Sequence, residues 1–507
     1  MPESSDVQQE LIRNLRNPAC YDHAAGPVQV VETHISYVLL SGEFAYKVKK
    51  PLNLGFLDFS TLGQRLHACE EEVRLNRRLA PAIYLGVVPI TGTPAAPRIN
   101  GAGEAFEYAV KMRQFPPDAT LDRLEAQGLL AARQVEAIAA IVARFHLQDC
   151  ARAAADSPWG SPEKVWQPVA QNFLHIAPHL TETADRQQLD ALQHWSAAEH
   201  ARLAPLMAAR KRDGFIRECH GDLHLGNLAW VDDQLLVFDC LEFNPELRWI
   251  DILSEVAFCT MDLMQRGHRD LAWLFLNLWL EKTGDYAGLA LLRYYAVYRA
   301  LVRVKVAVLR AGQTSGASHD AALAEARAIL DLATTLTRPL PLRLDITHGL
   351  SGSGKTTVTQ SLMQEPGAIR LRSDIERKRL ARLDALSRSG SDVGEQLYAA
   401  DATRRTYGHL AKLAGAILDA GWPVIADATF TARWQRDLLR EQARTRGVAF
   451  HILDFQVPLA TLRERILERA RKGSDASEAN LDVLRHQIET EEPLAADETA
   501  DSVRIGA

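Results

Sequence analysis

The sequence predicts two fold classes in series: an α+β domain over residues 1–338 and an α/β domain with a parallel sheet over residues 342–507. Short β-rich runs cluster before Met112, and helical text dominates after Thr120, which is the segregated order of an α+β domain. The run Arg338-Pro339-Leu340-Pro341-Leu342 then reads as a linker, because its prolines stop the preceding helix and favour extended backbone. Beyond it, strand, loop and helix alternate to the end, the rhythm of a parallel sheet. A length of 507 residues agrees, since a single core rarely grows much beyond ~250–300 residues.

Taken in order, VQVVE, SYVLL and FAYKVKK between Val28 and Lys50 read as three short strands joined by turns, a small antiparallel sheet. A helical pattern runs from Leu62 to Leu79, followed by the strand-like YLGVVPI, a Gly/Pro-rich interruption and the strand FEYAVKM. From Thr120 to about Asp213 the text is Ala/Leu-rich and helical. The period then changes, and IRECHGDLHLGNLAWVDDQLLVFDCLEF alternates apolar runs with turns, as loops and hairpins do. Helices resume from Ile250 to Leu336.

Hydrophobic residues make up 47% of the chain and charged residues 24%, which excludes a disordered or collagen-like protein. With 58 basic against 64 acidic residues, the net charge of −6 advertises neither nucleic acid nor an anionic membrane as partner. The six cysteines, Cys20, Cys69, Cys150, Cys219, Cys240 and Cys259, form no C-x-x-C pair and read as reduced thiols. The start carries acids and no apolar h-region, and the greasiest stretch, Leu271 to Leu280, is short and contains Asn277. A cytoplasmic protein is expected, and nothing in the sequence speaks to its oligomeric state.

The most informative text of the first part is His220-Gly221-Asp222, then Asn227, then an apolar run ending at Asp239. Phosphoryl transfer from ATP needs an Asp to accept the proton of the acceptor hydroxyl, and an Asn and a second Asp to hold Mg2+ against the phosphates. Asp222 is the candidate base, and Asn227 and Asp239 are the candidate metal ligands. Upstream, Lys47 on the strand Phe44-Ala45-Tyr46-Lys47 is the candidate phosphate-gripping lysine, with Lys49 a rival on the same strand face. Among Glu70, Glu71 and Glu72, Glu72 is chosen as its partner, because Val73 and Leu79 mark the neighbouring face as core, with a solvated acidic run as the alternative for any one of the three. The turn from Thr33 to Ser36 can offer amides and hydroxyls, with Ser36 a candidate ATP contact. Asp251 reads as a buried structural carboxylate, with a role in orienting the catalytic loop as the alternative.

Through AYK, HGDLHLGN and FDCLEFNPELRWIDI, residues from about Val28 to about Leu336 resemble the aminoglycoside phosphotransferase family. The resemblance implies a protein-kinase-like fold. Departures from protein kinases are Gly221 where an arginine would stand, Asp239-Cys240-Leu241 in place of D-F-G, and the lack of A-P-E and of a G-x-G-x-x-G loop. These point to a small hydroxylated molecule rather than a protein as acceptor.

In the second part, Leu342 to Thr347 reads as a strand and leads into Gly349-Leu350-Ser351-Gly352-Ser353-Gly354-Lys355-Thr356, which satisfies G-x-x-x-x-G-K-[ST] before a helix. Successive amides and the helix N-terminus make a concavity for phosphate. Gly349, Ser351, Gly352, Ser353, Gly354, Lys355, Thr356 and Thr357 are therefore the ATP-binding candidates, with Lys355 reaching the transferred group and Thr356 on Mg2+. Asp374, with Arg372 beside it, follows the strand AIRL, expected to neighbour the P-loop strand, and is the candidate for orienting the acceptor. An N-cap for the following helix is its alternative role. PVIA ends in Asp427, a candidate carboxylate for the metal, and Arg465 and Arg469 lie one helical turn apart as a candidate lid, or else as a solvated stripe.

The segment from about Leu342 onward resembles small P-loop kinases of the gluconate kinase, zeta-toxin and polynucleotide kinase type. The whole chain thus looks like a fusion of two ATP- and Mg2+-dependent phosphotransferase domains acting on small hydroxylated substrates. Two alternatives stay open: a nucleotide-sensing regulator with one silent domain, and a toxin-like or nucleic-acid end kinase at the C-terminal site. A sensor is expected to lack one of Lys47, Asp222, Asn227 or Asp239, and none is missing. The acidic stretch from Glu489 to Asp501 argues against a nucleic-acid groove.

Overall fold

The alternating text before Lys50 folds into strands β1 (Gln29–Glu32), β2 (Ser36–Ser41) and β3 (Phe44–Lys49) in a computed structural model that describes residues 3–53, 57–364, 367–383, 399–472 and 480–506. With β4 (Tyr84–Thr93), β5 (Ala96–Ile99) and β6 (Ala105–Arg113) they form an antiparallel sheet of order β1-β2-β3-β6-β4-β5. The two-residue period of β3 sorts its side chains. Tyr46 and Val48 are fully buried with Leu39, Leu11 and Leu15, the last two belonging to the N-terminal helix Glu3–Asn14 and its end, which sequence reasoning did not anticipate. Lys47 and Lys49 therefore take the other face.

The helix Leu62–Asn76 begins in a capping box, in which Thr61 Oγ1 accepts from the Gln64 amide at 3.3 Å and Gln64 Oε1 accepts from the Thr61 amide at 2.9 Å. Its apolar side, Cys69 and Val73, packs with Tyr84 and Val110 of the sheet. That contact fixes the helix face carrying Glu72. Further on, β7 (Ile216–Glu218) pairs with β10 (Trp249–Asp251), and β8 (Leu228–Val231) with β9 (Gln234–Val237). Asp232 and Asp233, both at positive φ (49° and 57°), make the two-residue turn of the second pair. These elements belong to one compact unit, comprising residues 1–134, 144–168 and 204–259.

The second unit comprises residues 135–143, 169–203 and 260–507. Its sheet is wholly parallel, with β11 (Arg343–His348), β12 (Ile369–Arg372), β13 (Val424–Asp427), β14 (Ala449–Phe455) and β15 (Ser502–Ile505) in the order β12-β13-β11-β14-β15. The strand AIRL is thus not the neighbour of the P-loop strand: β13 lies between them. The run Val424–Asp427, buried at every position, suits that central place. The acidic C-terminal stretch is also more than a tail. Glu498 is fully buried against Arg436, Nε to Oε1 2.6 Å and Nη2 to Oε2 3.0 Å, and the stretch leads into β15.

The extended segment 338–342 lies inside this second unit. The helix Arg269–Thr283, which precedes it, packs on β12, and the helix Leu289–Gly312 meets the helix Ala400–Asp419. Asn277 Nδ2 donates to the Ala368 carbonyl (3.0 Å) and its Oδ1 accepts from the Arg370 amide (2.7 Å), satisfying the outer side of edge strand β12. Trp422 Nε1 donates to the Leu289 carbonyl at 3.0 Å. All six cysteines are unbridged and buried, and among the described residues no helix is long and apolar enough to cross a membrane.

Because Arg436 and Glu498 are both desolvated, removing one leaves the other buried and unpaired. Arg436→Ala is expected to destabilise the second unit by about 3–5 kcal/mol. Denaturant unfolding followed by tryptophan fluorescence checks this, and a loss below about 1 kcal/mol, typical of an exposed pair, would contradict it.

Candidate active sites

In the first unit the pleat of β3 and the packed face of Leu62–Asn76 bring together residues that are far apart in sequence. Lys47 Nζ donates to Glu72 Oε1 (2.9 Å) and to Asp239 Oδ1 (2.5 Å). Lys49 Nζ is fully buried and donates to Glu72 Oε2 and to Glu242 Oε1. One carboxylate thus holds both rival lysines, one on each oxygen, and only Lys47 reaches Asp239. Glu70 is exposed, and Glu71 is occupied by Arg74 and Arg248, which leaves Glu72 as the acid facing the sheet. Burial pulls Lys47 toward its neutral form, but Asp239 and Glu72 outweigh it and hold the ammonium well above its ordinary range. Desolvation likewise pushes Asp239 up, and Lys47 more than reverses it, so this carboxylate stays below its ordinary value. Glu242, pushed up by its own burial, is the missed member of the cluster. Its signal was available three residues after Asp239, in DCLEF.

The catalytic-loop text is held by its own hydrogen bonds. His220 is buried, which lowers its pKa, and its Nε2 meets the Phe238 carbonyl at 2.8 Å while Nδ1 accepts from the Asp222 amide at 3.3 Å. Asn227 Nδ2 donates to the Asp222 carbonyl (2.9 Å) and to its Oδ2 (3.1 Å), and His224 Nε2 lies 3.3 Å from the same Oδ2. Gly221 stands at φ +89°, and a Cβ there would lie 2.9 Å from the Leu247 carbonyl oxygen, so the position has no room for a side chain. Its amide donates to Glu255 Oε1 at 2.7 Å, and Glu255 Oε2 meets His146 Nε2 at 2.7 Å. Neither Glu255 nor His146 was singled out from the sequence. Asp239 adopts φ +64°, a strained backbone for a non-glycine residue, and its amide donates to Tyr84 Oη (3.1 Å).

Asp251 takes a bidentate grip from Arg210 (2.6 and 2.8 Å) and accepts from the Leu253 amide (2.9 Å), the arrangement of a buried structural carboxylate. Ser36 sits at the start of β2 opposite Lys49, and Thr33 Oγ1 takes its amide at 2.9 Å. That amide is therefore committed within its own turn.

In the second unit a cavity of about 820 Å³ opens over the P-loop, lined by Ser351, Gly352, Gly354, Lys355, Thr356 and Thr357 on one side and by Arg372, Asp374 and Asp427 on another. Gly349 and Ser353 stand in the same loop: a Cβ at Gly349 would lie 3.2 Å from Ser353 Oγ. At Gly352, with φ +87°, a Cβ would meet the Leu462 carbonyl oxygen at 2.9 Å, so the helix Leu459–Lys472 packs directly on the loop. Lys355 Nζ donates to the carbonyls of Gly349 (2.9 Å) and Leu350 (2.7 Å) and to Ser353 Oγ (3.2 Å). Thr356 Oγ1 donates to Asp427 Oδ2 at 2.8 Å. Arg465 lines the cavity with its Nη1 3.4 Å from where a Cβ of Gly354 would stand. The side chain of Arg469 lies outside the described residues. Asp374 is in the first turn of the helix Ser373–Leu380, whose N-cap is Arg372 and has no side-chain cap bond, so the capping alternative for Asp374 is not realised.

Both sites offer hard oxygen donors, an amide and a carboxylate in one (Asn227, Asp239), a hydroxyl and a carboxylate in the other (Thr356, Asp427), which is donor chemistry suited to Mg2+.

Residues 344–494 match a family described as an AAA domain. Among solved structures, a sugar kinase from Janibacter sp. HTCC2649 is 23% identical over 33% of this chain and 86% of that one, with a TM-score of 0.26. A choline/ethanolamine kinase family protein from Mesorhizobium loti is 11% identical over 65% of this chain and 98% of its own, with a TM-score of 0.39. Residues 344–494 thus combine a P-loop with a wholly parallel sheet. An uncharacterized protein of Mycobacterium tuberculosis (strain ATCC 25618 / H37Rv) is 30% identical over 456 residues, 89% of this chain and 88% of that protein, and one from Mycobacterium bovis matches to the same extent. At that identity over nearly the full length of both chains, this protein belongs to the same family as the two mycobacterial proteins.

Proposed function

We propose that the chain is an ATP- and Mg2+-dependent phosphotransferase with two nucleotide sites, one in residues 1–338 and one in residues 342–507, each passing a phosphoryl group to a hydroxyl of a small molecule. The observation that carries the reading is the convergence of Lys47, Glu72 and Asp239 in the same unit as the Asp222–Asn227 loop. A lysine kept charged by two carboxylates grips phosphate oxygens, and Mg2+ when bound neutralises the charge on the transferring group.

In the first site Glu72 holds Lys47 in place, and Asp239 and Asn227 supply the metal donors. Asp222, its carboxylate oriented by Asn227 and His224, accepts the proton of the acceptor hydroxyl. In the second site the loop from Gly349 to Thr357 cradles the phosphates and Lys355 turns from its loop carbonyls to the transferred group. Thr356 and Asp427 hold the metal, Arg465 covers the phosphoryl group, and Asp374 orients the acceptor with Arg372 beside it. A small acceptor fits the departures from the protein-kinase pattern at Gly221 and Asp239-Cys240-Leu241.

Calorimetry on the intact protein is expected to find two Mg-ATP sites, with Lys355→Ala removing one and sparing the other. A single site lost with Lys355→Ala would show that the first unit binds no nucleotide. A screen of sugars, amino alcohols, aminoglycosides and nucleosides for ATP consumption supplies the acceptor. With it, Asp222→Asn in a Lys355→Ala background is expected to lower turnover by about two to four orders of magnitude while ATP still binds, since proton acceptance contributes to the transition state more than to the ground state. Wild-type turnover would remove Asp222 from the chemistry.

A further inference from the structure

Two arginines two residues apart on β12, Arg370 and Arg372, share a strand face, and one carboxylate outside the cavity meets both. Arg370 is only 2% exposed. Its Nε and Nη2 donate to Glu281 Oε1 at 3.2 and 2.9 Å, and its Nη1 donates to the carbonyl of Thr356 at 3.1 Å. Arg372 Nη1 lies 3.7 Å from Glu281 Oε2, and Arg372 lines the cavity beside Asp374. Glu281 itself lies on the helix Arg269–Thr283, outside residues 342–507, and does not line the cavity.

We infer that Glu281 is a positioning residue for the P-loop site, acting through Arg370 on Thr356 and through Arg372 on the acceptor wall. The inference rests on reading that site as a Mg-nucleotide site. A guanidinium buried as deeply as that of Arg370 needs a counter-charge. Glu281 provides it and fixes the plane of the fork, so that the remaining nitrogen meets the Thr356 carbonyl. That residue's hydroxyl is the one bonded to Asp427, so the two metal donors inherit their placement from the ion pair behind them. The register is set independently of charge: Asn277, one helical turn before Glu281, clasps the backbone of Ala368 and Arg370. Arg379 Nη2 holds the Glu281 carbonyl at 2.6 Å. Without the carboxylate, Arg370 must shift or recruit water, and the Thr356 carbonyl loses the guanidinium while keeping the Thr359 hydroxyl (3.2 Å).

The test uses the full-length protein carrying Lys47→Ala, which removes the phosphate-gripping lysine of the first site for both forms of ADP, and compares Mg-ADP with metal-free ADP by calorimetry. Glu281→Gln is expected to weaken Mg-ADP by about 10-fold, the usual effect of losing a group behind a metal ligand, and to leave metal-free ADP unchanged. Arg370→Gln is expected to do the same, and the double variant to be no worse than Arg370→Gln alone, because the two act as one unit. A merely structural pair would lower the melting temperature without changing the ratio of the two affinities, and that outcome overturns the inference. If Glu281→Gln does not fold, Glu281→Asp keeps the charge and shortens the reach. A loss confined to Mg-ADP supports the role, and an unchanged ratio overturns it. A parent protein that binds neither form of ADP would sink the nucleotide reading itself rather than the role of Glu281.

Discussion

The first unit is organised around a fully buried carboxylate that must be answered by positive charge. Glu72 sits under the sheet where an unpaired ion would cost several kcal/mol, and it is answered by two lysines from one strand. That demand ties three things together: the helix face on which Glu72 lies, the pleat that sends Lys47 and Lys49 to the same side, and the segment after β9 that brings Asp239 and Glu242. Core packing on the opposite face of β3, through Tyr46 and Val48, holds the strand in the register the charges need. The cluster and the core are two sides of one alternating sequence.

The same physics recurs in the second unit with arginine in place of lysine. Arg370 and Arg436 are nearly inaccessible and each has a carboxylate from an element distant in sequence, Glu281 and Glu498. The planar fork suits this use, since it satisfies two directions of a carboxylate and still has a donor for a backbone carbonyl. One such carbonyl is that of Thr356 and another that of Phe430. Buried pairs of this kind add little net stability compared with apolar packing. They fix geometry, which is what a site made of backbone amides and oxygen donors requires.

The two candidate sites solve one problem differently. The P-loop presents phosphate with backbone amides and a helix N-terminus, so its chemistry is written into a contiguous stretch whose glycines face the carbonyl of Leu462 and the side chain of Arg465. The first site assembles side chains from a strand, a helix and two loops. Its precision comes from a network in which Glu255 takes the Gly221 amide, and His220 the Asp222 amide and the Phe238 carbonyl.

Apart from the N-terminal helix, β5 and β15, the sequence by itself determined the main order of strands and helices in each half, the P-loop, and the spacing of Asp222, Asn227 and Asp239, because these depend on local periodicity and on contiguous motifs. It also favoured Glu72 over its two acidic neighbours, through the apolar spacing of one helix. What only the tertiary structure decided depends on pairings between distant segments. The two lysines share Glu72 instead of competing for it, since strand period alone places both on one face and says nothing of what lies opposite. Strand β13 stands between β11 and β12 because lateral order follows which runs can be buried on both sides. The acidic stretch near the end of the chain is part of the fold because Arg436 needs Glu498. Glu255 and Glu281 look in the sequence like ordinary charges, and only burial against a specific cation or amide gives them a role.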